Sequence, residues 1–305
     1  MIRSSVPAQP IVLVTPSKKE GVSAVVTAEA EAKERQLLDS LATMESVLVA
    51  YSGGVDSTYL LWAARRALGD RVLAVVGRSD SLARSEYQAA LAEAERLGAA
   101  VRVVQTGELS DPGFRDNPPD RCYHCKSELY GQLTPLAERE GRGQVLDGTN
   151  ADDLGDYRPG RRAAVEKNVR SPLAEAGLTK SEIRSLARRA NLVFWDKPAM
   201  PCLASRFPYG TRITRDKLRQ VEEAEALLRQ SGFRECRVRH HGEMARIEVP
   251  REDLDRLLAA PLLGRLSDGI KALGFREVTV DLEGFRSGKL NDSLSEKPEA
   301  GEVQL

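Results

Sequence analysis

One stretch constrains the chain more than any other: SVLVAYSGGVDSTYLLWAARRALG, residues 46–69. A short apolar run of strand type passes through two adjacent glycines into a helix that Gly69 closes. A strand feeding a helix this directly has to turn sharply. Gly53 and Gly54 remove the side chains that would block such a turn, or that would keep a ligand from the backbone. The pattern then repeats. VLAVVGRS reads as a second strand. LARSEYQAALAEAERLG places Leu82, Tyr87, Ala90, Leu91, Ala94 and Leu97 on one helical face, and Gly98 ends it. VRVVQT is a third strand. A polar loop through DPGFRDNPPD leads to a helix near CKSELYGQLTPLAERE, and QVLDGTN is a fourth strand. Strands alternating with helices need parallel crossovers, so the expected fold class is α/β with a doubly wound parallel sheet. Ligands in such sheets bind at the carboxyl ends of the strands. Ser52–Ser57 and GTNADD (148–153) both fall there.

Beyond about residue 210 the period changes. A long helix, RDKLRQVEEAEALLRQSG, precedes two alternating strands, ECRVRHH and ARIEV. Helical segments and REVTVDL follow. The expected division is a mobile N-terminal extension (1–30), an α/β domain (31–210), a smaller C-terminal α+β domain (211–286) and a mobile tail (287–305). Lys and Arg number 45, as do Asp and Glu, and a net charge of zero argues against a nucleic-acid partner. No apolar run approaches the length of a membrane span, and the first residues lack the features of a signal peptide. The expected compartment is the cytoplasm, where four cysteines suit metal binding or catalysis better than disulfides.

The glycine turn has a chemical reading. Unpaired N–H groups at the start of the following helix, with the positive end of its dipole, favour a phosphate or pyrophosphate. Ser52 and Ser57 add hydroxyls. Asp56 would repel a phosphate unless Mg²⁺ lies between them. No Gly-Lys-Ser/Thr follows, so this is not the Walker loop. The plainer alternative is a tight turn with Asp56 as helix cap.

Cys122 and Cys125 form a C-x-x-C pair, and Cys202 follows in MPCLASR. The pair suits zinc, an iron–sulfur cluster or redox chemistry. Zinc wants four ligands, and His124 between the cysteines cannot easily face the same ion. Three cysteines suit a [4Fe–4S] cluster with one iron open, and unrelated thiols are the alternative. The stretch WDKPAMPCLASRFPYGTRIT holds three prolines, so it is neither a regular helix nor a central strand. Carrying Cys202, Ser205 and Arg206 together, it reads as part of a site, with a rigid connector as the alternative. Cys236 alternates with Arg237 and Arg239, so it faces the core if those arginines face out.

SGGVDS resembles the PP-loop of ATP pyrophosphatases of the adenine nucleotide alpha hydrolase-like type. Together with DGTNADDLGDYRPG and WDKPAMPCLASRFPYGTRIT, in this order, it resembles the LarE family over roughly residues 35–286. The resemblance implies an ATP-dependent sulfur transferase that adenylates a carboxylate of a pyridinium-3,5-dicarboxylate mononucleotide. Sulfur then replaces AMP, giving a thiocarboxylate for the nickel-pincer cofactor. It implies ATP, Mg²⁺ and, for the three-cysteine branch, a [4Fe–4S] cluster on Cys122, Cys125 and Cys202. The other branch sacrifices the sulfur of its single cysteine. Ser52, Gly53, Gly54, Asp56, Ser57, Gly148 and Asn150 would hold ATP. Ser205, Arg206, Arg237 and Arg239 would serve the substrate, Cys202 the sulfur chemistry. Glu225 and Glu248 are polar partners in the same pocket on this reading, and exposed charges on the plainer one. A homo-oligomer and an upstream sulfur donor are also implied. A tRNA thiolase and a non-catalytic nucleotide-binding protein are the competing readings.

Overall fold

A computed structural model of the chain describes residues 26–155, 159–286 and 289–291. The first sheet has strands β1 (Val47–Ala50), β2 (Val72–Arg78), β3 (Ala100–Gln105) and β4 (Gln144–Leu146) in the order β3-β2-β1-β4. Every pairing is parallel, with Val47 of β1 opposite Val72 and Gln144. The central position of β1 explains why all four of its residues are buried. Side chains alternate between faces. Val47, Val49, Val72, Ala74 and Val76 join a core with helices α1 (Ala28–Ala42), α2 (Val55–Leu68) and α3 (Arg84–Arg96). Leu48, Ala50, Leu73 and Val75 meet the opposite layer. The doubly wound α/β fold is thus as the sequence led us to expect.

The remaining helices are α4 (Pro112–Arg115), α5 (Arg121–Arg139), α6 (Gly160–Glu166), α7 (Pro172–Glu175), α8 (Lys180–Arg189), α9 (Arg215–Gln230), α10 (Leu254–Leu258) and α11 (Ala260–Ala272). Tyr130 and Leu133 of α5 and Ala163 and Ala164 of α6 cover the second face of the sheet. α7 and α8 add Leu173, Ile183 and Leu186 to the first. The Thr179/Glu182 capping box fixes the start of α8. That fixes Lys180, which matters below.

A second sheet holds β5 (Arg237–His241), β6 (Met244–Glu248) and β7 (Glu277–Val280) in that order, antiparallel then parallel. Its core includes Cys236, Val238, Ile247 and Phe275. α9 packs at both ends. Ala224 and Leu228 enter the core of this sheet. Leu218 and Val221 join a separate cluster with Phe114, Leu203 and Phe207, against which Cys125 and Cys202 lie.

Two expectations need correction. α1 begins at Ala28, inside the stretch read as a mobile extension, because Thr27 caps it and Ala30 and Leu37 find a core. Lys289–Asn291 form a 3-10 turn inside the stretch read as a mobile tail. Two ion pairs from Lys289, to Asp281 and Glu283, hold that turn. Residues 1–25, 287–288 and 292–305, on which the rest of both expectations falls, lie outside the described residues.

Candidate functional site

The carboxyl ends of β1 and β4, the first turns of α2 and α5, and one face of β5 surround a cavity of about 570 Å³. Ser52, Gly54, Asp56, Ser57, Gly148 and Asp153 line it, with Cys122 and Lys126 of α5 and with Ser205, Arg237, Arg239, Phe285 and Lys289.

The glycine turn is built as its sequence demands. Gly53 has φ 72° and packs on α3, where a Cβ would lie 2.6 Å from Ala90 Cβ. Ser52 and Ser57 place their hydroxyl oxygens 3.0 Å apart. The carbonyl of Gly54 accepts from Ser57 Oγ and Thr58 Oγ1 at 3.2 and 2.7 Å. Gly148 presses on this turn from β4. A Cβ there would come within 2.8 Å of the Ser57 N and Cα atoms. Backbone cannot swing aside as a side-chain tip can, so Gly148→Ala displaces the turn. We expect a stability loss of about 1–3 kcal/mol, read by urea unfolding, and a raised ATP requirement. Unchanged values for both would show that β4 does not brace the turn.

Asp56 is the unusual member. Its Oδ2 lies 3.5 Å from Lys180 Nζ, and its Oδ1 is buried with no hydrogen-bond partner among the described residues. Burial pushes its pKa up, Lys180 pulls against this, and Asp153 adds to the rise. A buried, half-satisfied carboxylate beside a second carboxylate suits a hard divalent cation, and the donor set of Asp56 and Asp153 fits Mg²⁺. Asn150 does not line the cavity. It is buried, and its Oδ1 accepts from the N–H groups of Asp152 and Asp153, shaping the turn that presents Asp153.

The three candidate cysteines come from two segments, the start of α5 and the loop that leads to Arg206. Cys122 and Cys125 sit in the first turns of α5. Cys122 is exposed and lines the cavity, while Cys125 and Cys202 are half-buried in one apolar cluster. Burial pushes the Cys125 thiol up, and Glu108, Cys202 and Cys122 act on it in the same direction. Among the described residues, no group of three or more His, Cys, Asp or Glu side chains is set to hold a metal ion. His124 turns aside to Asp111, with Nδ1 2.9 Å from Oδ2. Cys236 is buried in the second core, and burial pushes its thiol up to about 12.

The arginines divide into two kinds. Arg206 was expected to offer a fork to substrate. Instead it is 1% exposed and lies outside the lining of the cavity. Its Nε and Nη2 donate to Glu225 at 2.7 and 3.1 Å. Its Nη1 donates to the carbonyls of Pro201 and Cys202 and to Ser205 Oγ. The side chain clamps the loop that carries Cys202 and Ser205. Arg237 and Arg239 do line the cavity, though they are almost as buried as Cys236, because the outward face of β5 meets the cavity and not solvent. Arg239 donates twice to Glu248 Oε2, at 3.0 and 2.8 Å, and once to the Ser205 carbonyl. Arg237 donates to the Ala199 and Cys236 carbonyls and stacks on Phe285. Burial, with Arg206 nearby, lowers its pKa to about 10. Glu225 and Glu248 are fully buried counter-ions beneath these guanidiniums, so the reading of them as exposed charges fails. Burial alone would raise the Glu225 carboxyl; Arg206 and Arg237 outweigh it and hold the pKa below the usual range.

The sequence reading passed over Lys126, Asp153, Lys180 and Lys289. Lys126 had a signal, standing four residues after Cys122 and so on the same helical face. Asp153 closes the quoted GTNADD. Lys180 and Lys289 had none, because only tertiary packing brings them here.

No family model matches the chain. It is 46% identical over 265 residues to an uncharacterized protein of Synechocystis sp., covering 87% of this chain and 99% of that one. It is 42% identical over 264 residues to pyridinium-3,5-bisthiocarboxylic acid mononucleotide synthase of Lactiplantibacillus plantarum, covering 86% and 95%. A weaker match, 28% over 220 residues, joins 66% of this chain to 41% of GMP synthase from Aeropyrum pernix.

Proposed function

The chain belongs to the LarE family, that of pyridinium-3,5-bisthiocarboxylic acid mononucleotide synthase, and from that premise we propose that it is an ATP-dependent sulfur transferase acting on a pyridinium dicarboxylate mononucleotide. The observation that carries this reading is that the glycine turn, Cys122 and two buried arginines line one cavity.

A carboxylate resists attack because it is anionic. In the proposed first step a carboxylate oxygen bonds to the α-phosphorus of ATP, and the bond from that phosphorus to the β-phosphate bridging oxygen breaks. Pyrophosphate leaves, and the acyl group gains AMP as a leaving group. The N–H groups at the start of α2 and the hydroxyls of Ser52 and Ser57 hold the departing charge. Asp56 and Asp153 would hold Mg²⁺, which supplies charge neutralisation there. Arg237 and Arg239 orient the substrate through its phosphate or carboxylates. Sulfur then attacks the acyl carbon, the C–O bond to AMP breaks, and a thiocarboxylate forms. Cys122, Cys125 and Cys202 would hold a [4Fe–4S] cluster, which supplies a soft sulfide at its remaining iron when bound. That Cys125 and Cys202 lie against one apolar cluster, with Cys122 one turn before Cys125 on α5 and lining the cavity, supports this donor set.

The test is an anaerobic one. Protein reconstituted with iron and sulfide should show a cluster absorption, and should release pyrophosphate only with both ATP and the pyridinium nucleotide. Cys122→Ala should lose the cluster and repeated sulfur transfer while pyrophosphate release continues. If that variant still transfers one sulfur per chain, and Cys202 loses the mass of H₂S, the cluster gives way to a sacrificial cysteine. If no pyrophosphate appears with any pyridinium nucleotide, the transferase reading itself is wrong.

A further inference from the structure

Lys197 stands five residues before Cys202, yet it makes its contacts across the molecule. Its Nζ donates to the carbonyl oxygen of Gly53 at 2.9 Å and pairs with Glu86 of α3, also at 2.9 Å. It does not line the cavity. Its own backbone is fixed from another side. Arg184 of α8 donates to the carbonyls of Trp195 and Lys197 at 2.7 and 2.6 Å, and Arg188 stacks on the Trp195 ring. The ammonium is therefore held at both ends, by its chain through α8 and by its charge through α3.

The atom it grips has a consequence for the glycine turn. The carbonyl of Gly53 and the N–H of Gly54 belong to one peptide. In a trans peptide these two groups point in opposite directions. A cation that holds the carbonyl away from the cavity turns the N–H of Gly54 toward it. Among the described residues that N–H makes only a long contact, 3.4 Å to Ser52 Oγ, and both Gly54 and Ser52 line the cavity. Two glycines in succession leave this peptide free to flip, since neither resists by a side chain. The packing of Gly53 on Ala90 fixes its position, but not which way its carbonyl faces.

We propose that Lys197 is a positioning residue: it sets the orientation of the Gly53–Gly54 peptide so that an amide N–H meets the phosphates of ATP. The same side chain ties the phosphate-binding turn to the segment that carries Cys202. This inference rests on the reading that Ser52–Ser57 holds the phosphates of ATP.

Steady-state pyrophosphate release, with ATP and the pyridinium mononucleotide varied in turn, tests it. Lys197→Met should raise the KM for ATP about 10- to 100-fold, the scale expected of a misplaced binding group. The KM for the pyridinium nucleotide and the melting temperature should stay near those of the unsubstituted protein. Lys197→Arg, which can still donate to the carbonyl and pair with Glu86, should restore most of the affinity. Glu86→Gln should lose less than Lys197→Met, because the bond to Gly53 remains. An unchanged KM for ATP in Lys197→Met overturns the proposal. So does an equal rise in both KM values with a lowered melting temperature, which would mark a fold defect. If the unsubstituted protein shows no saturable use of ATP at all, the phosphate reading of the turn falls, and the role of Lys197 with it.

Discussion

Asp56→Asn should cut pyrophosphate release by at least about 100-fold, the scale of losing one electrostatic stabiliser of a transition state, and should at the same time raise the melting temperature of the ligand-free protein near neutral pH. The two effects have one cause. Burial raises the Asp56 pKa in the folded chain, and Lys180 at 3.5 Å does not fully offset it. The unfolded chain therefore releases this proton at a lower pH than the folded one. The folded state loses stability as pH rises from the ordinary carboxylate range through the raised value, and above that the whole penalty applies. Asparagine has no charge to bury. The difference in melting temperature between the variant and the unsubstituted protein should grow as pH rises above the ordinary carboxylate range, and level off once pH passes the raised value. Adding Mg²⁺ with ATP should stabilise the unsubstituted protein much more than the variant. The N-cap of α2 is Gly54 and Asp56 makes no cap bond, so a variant that releases pyrophosphate normally would remove Asp56 from the chemistry, and a difference that ignores pH would mean that its burial costs the folded chain nothing.

The second large effect concerns stability first and chemistry second. Arg206→Ala should destabilise the protein by about 3–5 kcal/mol, the usual consequence of breaking a buried pair from one side. Both partners have only 1% side-chain exposure, and Glu225 would keep only Arg229 at 3.3 Å as a cationic neighbour within bonding distance. The paired change Arg206→Met with Glu225→Leu should recover part of the stability, because no carboxylate is left without its guanidinium, while Arg229 and Arg237 lose their acidic neighbour and the Val238 N–H its acceptor. It should not recover sulfur transfer, since the carbonyls of Pro201 and Cys202 lose their clamp. Urea unfolding separates the three proteins. A loss of no more than about 1 kcal/mol in the single variant, the value of an exposed pair, would show that the pair relaxes into solvent.

The α/β architecture was legible because its signals are local. Each strand is a short apolar run, each helix has a periodic face, and glycine punctuates both. The glycine turn was legible for the same reason, since Ser52–Ser57 is contiguous. The arginine side of the cavity was legible only as a set of names. Alternation on β5 placed Arg237 and Arg239 on one face and Cys236 on the other, which holds. It could not say that the arginine face meets a cavity, because that depends on the loop 199–205 and Phe285 arriving from elsewhere. Arg206 was misjudged for the same reason: Glu225 is 19 residues away on α9. Lys289 belongs to a segment with no period, and its place comes from ion pairs that sequence spacing does not reveal.

α9 bears on how the protein admits what it binds. It is a rod of 16 residues, about 24 Å long. One half is rooted in the core under the second sheet, the other in the cluster beside Cys125 and Cys202. Jaw-like opening between the sheets would have to pull one half of the rod out of its apolar seat and wet it. The two ends of α9 thus brace the elements around the cavity against one another. Admission falls to small parts at the rim, such as the exposed Arg286 and the ion-paired Lys289. On the proposed mechanism, such bracing would keep an acyl-adenylate beside its sulfur and leave water little time to reach it first.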